Sequence, residues 1–184
     1  MTTYYTGKGD DGSTGVIGRG RISKASGVAQ AMGDVDELNS VIGVAIAHLD
    51  DDHLTDILRV VQDKLFAVGA ELSSSGDEKA KRDFGLAEKD VRELEHEIDE
   101  IGSRLPELKR FVLPNGSISA SHLHLARAVA RRAERSVVAL MSDPKVRLNP
   151  QAQAYLNRLS SLLFTAALYM NKKEGVEESH PTYK

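Results

Sequence analysis

The sequence predicts an all-α fold, a single bundle of five helices preceded by a glycine-rich loop. Five segments place apolar residues at the three- and four-residue spacing of a helix, and short connections join them. No segment shows a strand pattern. The 184-residue chain has no tryptophan and only 5% aromatic residues, so alanine, leucine and valine must do most of the packing, as in helical bundles.

The first element is a glycine-rich loop from Tyr4 to Lys24 with six glycines, too many for a stable helix. A loop of this kind lets backbone N–H groups converge on an anion. It lacks the Gly-Lys-Ser/Thr of a Walker A motif, and no strand precedes it as in a dinucleotide fingerprint. Either a phosphate loop or a plain extended arm fits this stretch. Its polar side chains include Lys8, Asp10, Asp11, Ser13, Thr14 and Lys24, and the two aspartates suit either a metal or a loop-fixing role.

Three helices are predicted next, over residues 28–49, 54–73 and 87–105. The first contains Gly33-Asp-Val-Asp36-Glu37-Leu-Asn39-Ser, whose polar groups indicate either a tight contact or an exposed face. The segment 74–86 is polar and is the expected mobile connection. The third helix is very acidic, which indicates a peripheral position.

The fourth helix is predicted over residues 117–141, with Ser117 or Ser119 as the N-cap and Pro144 beyond its end. At about 100° per residue, one face collects His124, Arg127, Arg131, Glu134 and Arg135. The opposite side is a stripe of Leu123, Ala126, Ala130, Ala133 and Val137. The arginine face is either a solvated, ion-paired surface or an anion site, since guanidinium groups bind phosphate oxygens in pairs.

The fifth helix begins at Pro150 and ends before Gly175, with Asn157 and Arg158 near its start. The expected organisation is one domain over 1–184: a nucleotide-binding loop at 1–25, a helical bundle at 26–175 and a flexible tail at 176–184. Phe111 precedes the turn into the fourth helix. From the sequence alone it is interpreted as a core plug, that is, an aromatic side chain that fills the protein interior.

Composition and motifs exclude several function classes. The net charge of −3 argues against a nucleic-acid binder that works through bulk positive charge, and the absence of cysteine removes thiolate chemistry. No apolar run approaches a membrane span and no signal sequence is visible, so we expect a cytoplasmic protein without a membrane partner. A catalytic triad and a His-Glu-x-x-His motif are both lacking.

The remaining polar groups suit a polyphosphate, but they include no evident nucleophile or general base. The single helical pair Glu93-x-x-His96, with Glu177-x-x-His180 in the tail, is too little for a di-iron bundle. An enzyme built from these groups would need a substrate that brings its own nucleophile. The protein would then act by positioning and by charge stabilisation.

Five motifs in order resemble the PduO-type ATP:cob(I)alamin adenosyltransferases. They run from Tyr5 to about Gly175: Thr6-Gly-Lys-Gly-Asp-Asp-Gly-Ser-Thr-Gly, Gly33-Asp-Val-Asp-Glu-Leu-Asn-Ser, Phe111-Val-Leu-Pro-Asn-Gly, Arg127-Ala-Val-Ala-Arg-Arg-Ala-Glu-Arg and Leu156-Asn-Arg-Leu-Ser. The resemblance implies a five-helix bundle, a homotrimer with active sites between subunits, and transfer of the 5′-deoxyadenosyl group of ATP to cob(I)alamin. It also implies Mg²⁺ bound mainly through the ATP phosphates, with no protein metal ligand identified.

The same resemblance implies roles for individual residues. Phosphate contacts would come from the loop residues Thr6, Gly7, Lys8, Gly9, Thr14, Gly15 and Lys24. The rest of the ATP site would comprise Arg131, Arg132, Ala133, Glu134, Arg135 and Asn157. Asp36 would pair with Arg127 across the subunit interface. Phe111 would close the lower face of the corrin and displace its axial base, which leaves a four-coordinate cobalt that is easier to reduce. Expected partners beyond the substrates are a cobalamin reductase and an adenosylcobalamin-dependent enzyme.

Three positions depart from the usual family pattern. Gly7 stands in place of a basic residue, Asn115 in place of a common glycine, and Ser161 in place of an aspartate. Two other functions remain open at this point. One is a non-catalytic bundle in which ATP orders the N-terminal arm, and the other is a structural bundle with an ion-paired surface.

Overall fold

A computed structural model describes residues 3–18, 20–75 and 84–183 of the chain. Two short strands come first, β1 (Ser13–Val16) and β2 (Gly20–Ser23). Five helices follow, α1 (Gly27–Ile46), α2 (Asp52–Ser74), α3 (Glu88–Gly102), α4 (Ile118–Met141) and α5 (Pro150–Lys173). Each predicted helix is present, with ends that differ from the prediction by three residues at most.

Polar caps at the N-termini explain where the helices begin. Ser117 is the cap of α4 and accepts a hydrogen bond from the Ala120 amide at 3.2 Å. Asp51 accepts from the Leu54 amide at 2.9 Å at the start of α2, and Asn149 precedes Pro150 at the start of α5. These caps satisfy N–H groups that the first turn of a helix leaves without a partner.

The packing places α4 at the centre of the bundle, between α1 and α5. Helix α2 packs on the other side of α1, and α3 packs on α5. Lys64 on α2 and Asp90 on α3 form an ion pair at 2.7 Å, which joins the two outer helices. The small residues of α4 permit this central position, because Ala126, Ala130 and Ala133 are fully buried against their neighbours.

The N-terminal loop contains a β-hairpin that the sequence did not reveal. Strands β1 and β2 are antiparallel, with Thr14 opposite Ile22 and Val16 opposite Gly20. The prediction of no strand is therefore wrong for this segment. Glycines oppose helix formation but permit the turn, since Gly18 and Gly20 both have positive φ angles, 79° and 75°. Ile17 donates its amide to Ser73 Oγ at 2.8 Å and docks the hairpin on α2.

The C-terminal tail, expected to be flexible, is hydrogen-bonded to the bundle. Its Val176 amide donates to the Asn171 carbonyl at 2.8 Å, and the Leu113 amide donates to the Ser179 carbonyl at 2.8 Å. A polar segment can form backbone hydrogen bonds of this kind, and its amino-acid composition alone does not reveal them. Most of the mobile connection expected over 74–86 lies outside the described residues.

Candidate active site

The glycine-rich loop is folded tightly by its own side chains. Lys24 Nζ donates to the Gly9 carbonyl at 2.8 Å, and the Arg21 guanidinium donates to the Lys8 carbonyl and to Ser13. Asp11 accepts from the amide and hydroxyl of Ser13, which lowers the pKa of its carboxyl group. The sequence left two roles open for the aspartates, metal binding and fixing of the loop. Asp11 has the contacts that fix the loop.

A first cavity of about 600 Å³ lies between the hairpin and helices α1 and α2, and we call it the hairpin cavity. Thr14 and Lys24 reach it from the loop, and Asp36 and Asn39 reach it from α1. The remaining predicted loop residues, Thr6, Gly7, Lys8, Gly9 and Gly15, lie in the same loop and hairpin but do not line the cavity. Exposed Phe66 and the small residues Gly33, Gly69 and Ala70 give the cavity apolar walls.

A second cavity of about 730 Å³ lies beside α4 and α5, and we call it the aromatic cavity. Phe111 borders it with a side chain that is 78% exposed, so Phe111 is not a core plug. Arg127 and Arg131 border it from α4, and Phe164 borders it from α5. The Arg127 guanidinium carbon lies 5.8 Å from the Phe164 ring centroid, within the range of a cation–π contact.

The arginines of α4 have different environments. Arg132 pairs with Glu37 and lies 3.8 Å from Asp34, both on α1, so it links two helices. Arg131 and Arg135 are exposed, and no ion pair or hydrogen bond joins either to another side chain within the described ranges. These two guanidinium groups are therefore available to bind an anion. On a solvated, ion-paired face, the positive charges would already have carboxylate partners.

Glu134 and Asn157 meet where α4 packs on α5. Asn157 Nδ2 donates to Glu134 Oε1 at 2.9 Å, and Arg158 donates to Asn157 Oδ1 at 2.7 Å. Arg158 also donates to Glu95 of α3 at 2.8 Å. This chain of contacts holds Asn157 in one orientation, with its carbonyl and amide both used.

Ala133 does not lie on the exposed face with the other predicted ATP-site residues. Its side chain is fully buried in the core. The helix spacing explains the difference, because residue 133 lies about 200° around the helix from residue 131. Its methyl group therefore packs against neighbouring helices and has no route to a ligand.

His124 is the buried member of the predicted polar face. It is 3% exposed, and neither ring nitrogen has a hydrogen-bond partner among the described residues. Burial, followed by the positive charge of Arg127, lowers the pKa of its imidazole. His124 therefore stays neutral at neutral pH, and its ring lies 6.1 Å from that of Phe164.

The hairpin cavity and the aromatic cavity share no lining residue. Asp36 borders the first and Arg127 the second, and no salt bridge joins them within the described part of one chain. The predicted phosphate-binding residues Thr14 and Lys24 therefore lie at a different cavity from Arg127 and Arg131 in the described chain.

A family model described as "Cobalamin adenosyltransferase" matches residues 4–170 of the chain. The chain belongs to this family. A corrinoid adenosyltransferase of Bacillus subtilis is 43% identical over 176 residues, which cover 94% of this chain and 88% of that protein. A corrinoid adenosyltransferase of Mus musculus is 40% identical over 95% of this chain and 75% of that protein.

Solved structures of the cobalamin adenosyltransferase family share this fold over nearly the full length. One is a variant PduO-type ATP:corrinoid adenosyltransferase from Lactobacillus reuteri complexed with cobalamin and ATP. It matches with a TM-score of 0.90 and 34% identity, covering 98% of this chain and 99% of that chain. Another variant of that enzyme, complexed with ATP, matches with a TM-score of 0.88 and 34% identity, covering 96% and 99%.

The three departures from the adenosyltransferase pattern have distinct settings. Ser161 borders the aromatic cavity, so the wall of this cavity lacks the carboxylate that an aspartate would supply at this position. Gly7 has a φ of 66°, a conformation that glycine adopts without strain. Asn115 has no positive φ angle, and its carbonyl accepts a hydrogen bond from Asn171 at 3.2 Å.

Several contacts that connect the elements around the two cavities of this adenosyltransferase were not predicted from the sequence. Asp34 is buried and accepts from Gln30 and Ser136, so it helps join α1 to α4. Its position inside the Gly33 motif was the available signal. Asn171 and His180 contact the Phe111 segment and its turn. Asn171 carried no signal in spacing or composition, and the Glu177-x-x-His180 spacing did not indicate this contact.

Two further observations concern metal-binding clusters and membrane-spanning helices. Within residues 3–18, 20–75 and 84–183, no three histidine, cysteine or acidic side chains cluster so as to hold a metal ion. In the same ranges, no helix has both the length and the apolar character needed to cross a bilayer.

Proposed function

We propose that this chain transfers the 5′-deoxyadenosyl group of ATP to the cobalt of cob(I)alamin. The electron pair of Co(I) forms the Co–C5′ bond, the C5′–O bond breaks, and its electron pair leaves with triphosphate. The products are adenosylcobalamin and triphosphate. The observation that carries this proposal is the aromatic cavity, where exposed Phe111 lies beside two cationic side chains, Arg127 and Arg131.

The chemistry of the described side chains suits this reaction. Co(I) is itself the nucleophile, so the protein has to bind, orient and stabilise charge, and it needs no catalytic base. Arg131 has no carboxylate partner among the described residues, so it would be available to neutralise the negative charge that grows on the leaving polyphosphate. Phe111 offers an apolar surface for the lower face of the corrin.

The separation of the two cavities supports an active site between subunits. Thr14 and Lys24 lie at the hairpin cavity, whereas Arg127 and Arg131 lie at the aromatic cavity. A homotrimer would bring the loop of one subunit to the arginines of the next at three equivalent interfaces. Asp36 and Arg127, unpaired with each other within a chain, are the expected ion pair of that interface.

Mg²⁺ fits this site as a companion of ATP. The described residues offer no cluster of three or more metal-binding side chains, and Asp11 is engaged in holding the loop. The ATP phosphates would supply most of the oxygen ligands, as magnesium commonly uses in nucleotide sites. When bound, the ion supplies additional positive charge to the leaving triphosphate.

The test is an anaerobic assay with chemically reduced cobalamin, ATP and Mg²⁺, followed through the corrinoid absorbance and triphosphate release. We expect adenosylcobalamin and triphosphate in equal amounts. ATP binding without a cobalt–carbon bond would contradict the proposal and favour an ATP-sensing bundle. No ATP binding at all would leave a structural bundle.

A further inference from the structure

The backbone of Phe111 is held by the C-terminal tail. His180 Nδ1 donates to the Phe111 carbonyl at 2.8 Å, and the Leu113 amide donates to the Ser179 carbonyl at 2.8 Å. Because a carbonyl only accepts, the His180 tautomer in this contact carries its proton on Nδ1. Two hydrogen bonds therefore flank residue 112 and connect the Phe111 segment to the tail.

The tail is itself fixed by a buried amide, Asn171. This side chain is 1% exposed and donates from Nδ2 to Glu178 Oε1 at 3.1 Å. The same side chain contacts the turn before α4, since it donates to the Asn115 carbonyl and accepts from the Ser117 amide at 2.9 Å. One buried residue thus fixes both the tail and the turn that follows Phe111.

The segment 106–116 has few other constraints. It contains no helix or strand, and most of its residues are exposed. Between residues 106 and 112, no backbone–backbone hydrogen bond is present within the described ranges. An exposed segment without such bonds samples many conformations, and a contact that fixes it must offset the conformational entropy that is lost.

We infer that His180 and the tail residues 176–180 position Phe111 in the aromatic cavity. This inference rests on the proposed function, in which Phe111 faces the corrin. His180 acts through the Phe111 backbone, so it is a positioning residue rather than a catalytic residue. The tail sets where the aromatic ring stands, and hence how completely the ring displaces the lower axial base of the corrinoid.

The first measurement is amide hydrogen exchange over 106–116, in wild type and in His180→Ala. Loss of the His180 contact should increase exchange at the Leu113 amide, which donates to the Ser179 carbonyl in the tail. This readout needs no corrinoid. Unchanged exchange at Leu113 would overturn the structural part of the inference.

The second measurement is functional. We expect His180→Ala to raise KM for the corrinoid about three- to tenfold, in line with one lost hydrogen bond, and to leave KM for ATP unchanged. The fraction of four-coordinate cob(II)alamin formed with ATP should fall in its electron paramagnetic resonance spectrum. His180→Asn should recover most of both quantities, because its amide nitrogen is as many bonds from Cα as Nδ1.

His53→Ala is the matched control, because His53 is an exposed histidine on α2 that pairs with Glu97 at 3.1 Å. It should match wild type in corrinoid KM and in the four-coordinate signal. A His180→Ala variant that also matches wild type in both would overturn the inference. If wild type itself forms no adenosylcobalamin, the proposed function fails, and the exchange measurement still decides whether the tail holds the segment.

Discussion

Asn157 of α5 donates from its amide to the carboxylate of Glu134 on α4, at 2.9 Å. Arg158 holds the carbonyl of the same amide at 2.7 Å, so Asn157 has one orientation in which both ends are satisfied. The contact holds the Glu134 carboxylate, which lies one turn from Arg131 on α4. Without this hydrogen bond, the carboxylate would be able to rotate and pair with the unpaired guanidinium groups.

Replacing Asn157 should therefore affect both stability and ATP binding. Asn157→Ala should lower the free energy of unfolding by about 0.5–1.5 kcal/mol, the usual net contribution of one hydrogen bond, and raise KM for ATP several-fold. Asn157→Asp should cost more, because it places a second carboxylate against Glu134. Thermal unfolding and initial rates at varied ATP concentration measure the two effects.

Gln153→Ala is the control for the Asn157 variants, since Gln153 is an exposed residue on the same helix. Its stability and ATP dependence should stay close to wild type. Equal KM values for ATP in Asn157→Asp and Gln153→Ala would contradict a role for the Glu134 contact at the nucleotide site.

Arg131 should be needed for turnover but not for folding. Its side chain is exposed and unpaired within the described ranges, so Arg131→Ala should change the unfolding free energy by less than about 0.5 kcal/mol. The same variant should lose about 10²–10³-fold in kcat, as when a group that stabilises transition-state charge is removed. Arg131→Lys keeps the positive charge but lacks the planar guanidinium group, so its kcat should lie between those of wild type and Arg131→Ala.

The comparison variant for Arg131 is Arg92→Ala, which removes an exposed arginine paired with Glu88 one turn away on α3. An exposed pair of this kind contributes little, so kcat should be unchanged. A similar loss of kcat in both variants would show that a general loss of positive charge, and not the position of Arg131, limits the reaction.

The helices could be predicted because their signals are local. Apolar spacing, Ser117 at a cap and Pro150 at a first turn are each set by a few neighbouring residues. The hairpin lacked such a signal, since four-residue strands containing Gly15 and Gly20 are too short to show alternation. Its docking depends on Ser73, which is distant in sequence.

The candidate site was predictable as a set of residue types but not as an arrangement. Helical geometry placed His124 and Arg131 on one face, but it could not state which neighbouring helix covers which end of that face. The neighbouring helices bury His124 and leave Arg131 exposed. Arg132 differs again because α1 supplies Glu37 as its partner. Such outcomes depend on tertiary packing rather than local spacing.

His124 should make folding stability depend on pH. Its folded-state pKa lies below the ordinary value of 6.5, because burial and then Arg127 disfavour the charged ring. Between the folded pKa and 6.5 the unfolded chain binds more protons than the native one. Stability is therefore highest above this window and falls as pH decreases through it, by up to about 1.4 kcal/mol per pH unit for one group.

The measurement for His124 is chemical denaturation from pH 7.5 downward at fixed protein concentration. His124→Gln should flatten the fall in unfolding free energy, because glutamine does not titrate. His96→Gln, at an exposed position on α3, shows the effect of losing a surface imidazole. If the wild-type and His124→Gln profiles keep the same slope below pH 6.5, burial of a neutral His124 is not what sets it.

An active site shared between subunits should show complementation between two inactive variants. Lys24→Ala removes a cation from the hairpin cavity, and Arg131→Ala removes one from the aromatic cavity. In a trimer assembled at random from equal amounts of the two, about a quarter of the interfaces combine an intact loop with an intact arginine. Co-expressed chains should therefore show roughly a quarter of wild-type activity. Lys24→Ala co-expressed with Thr14→Val, both on the hairpin side, should show no recovery. Activity no higher than that of the separate variants would instead place the loop and the arginines in one site within one subunit.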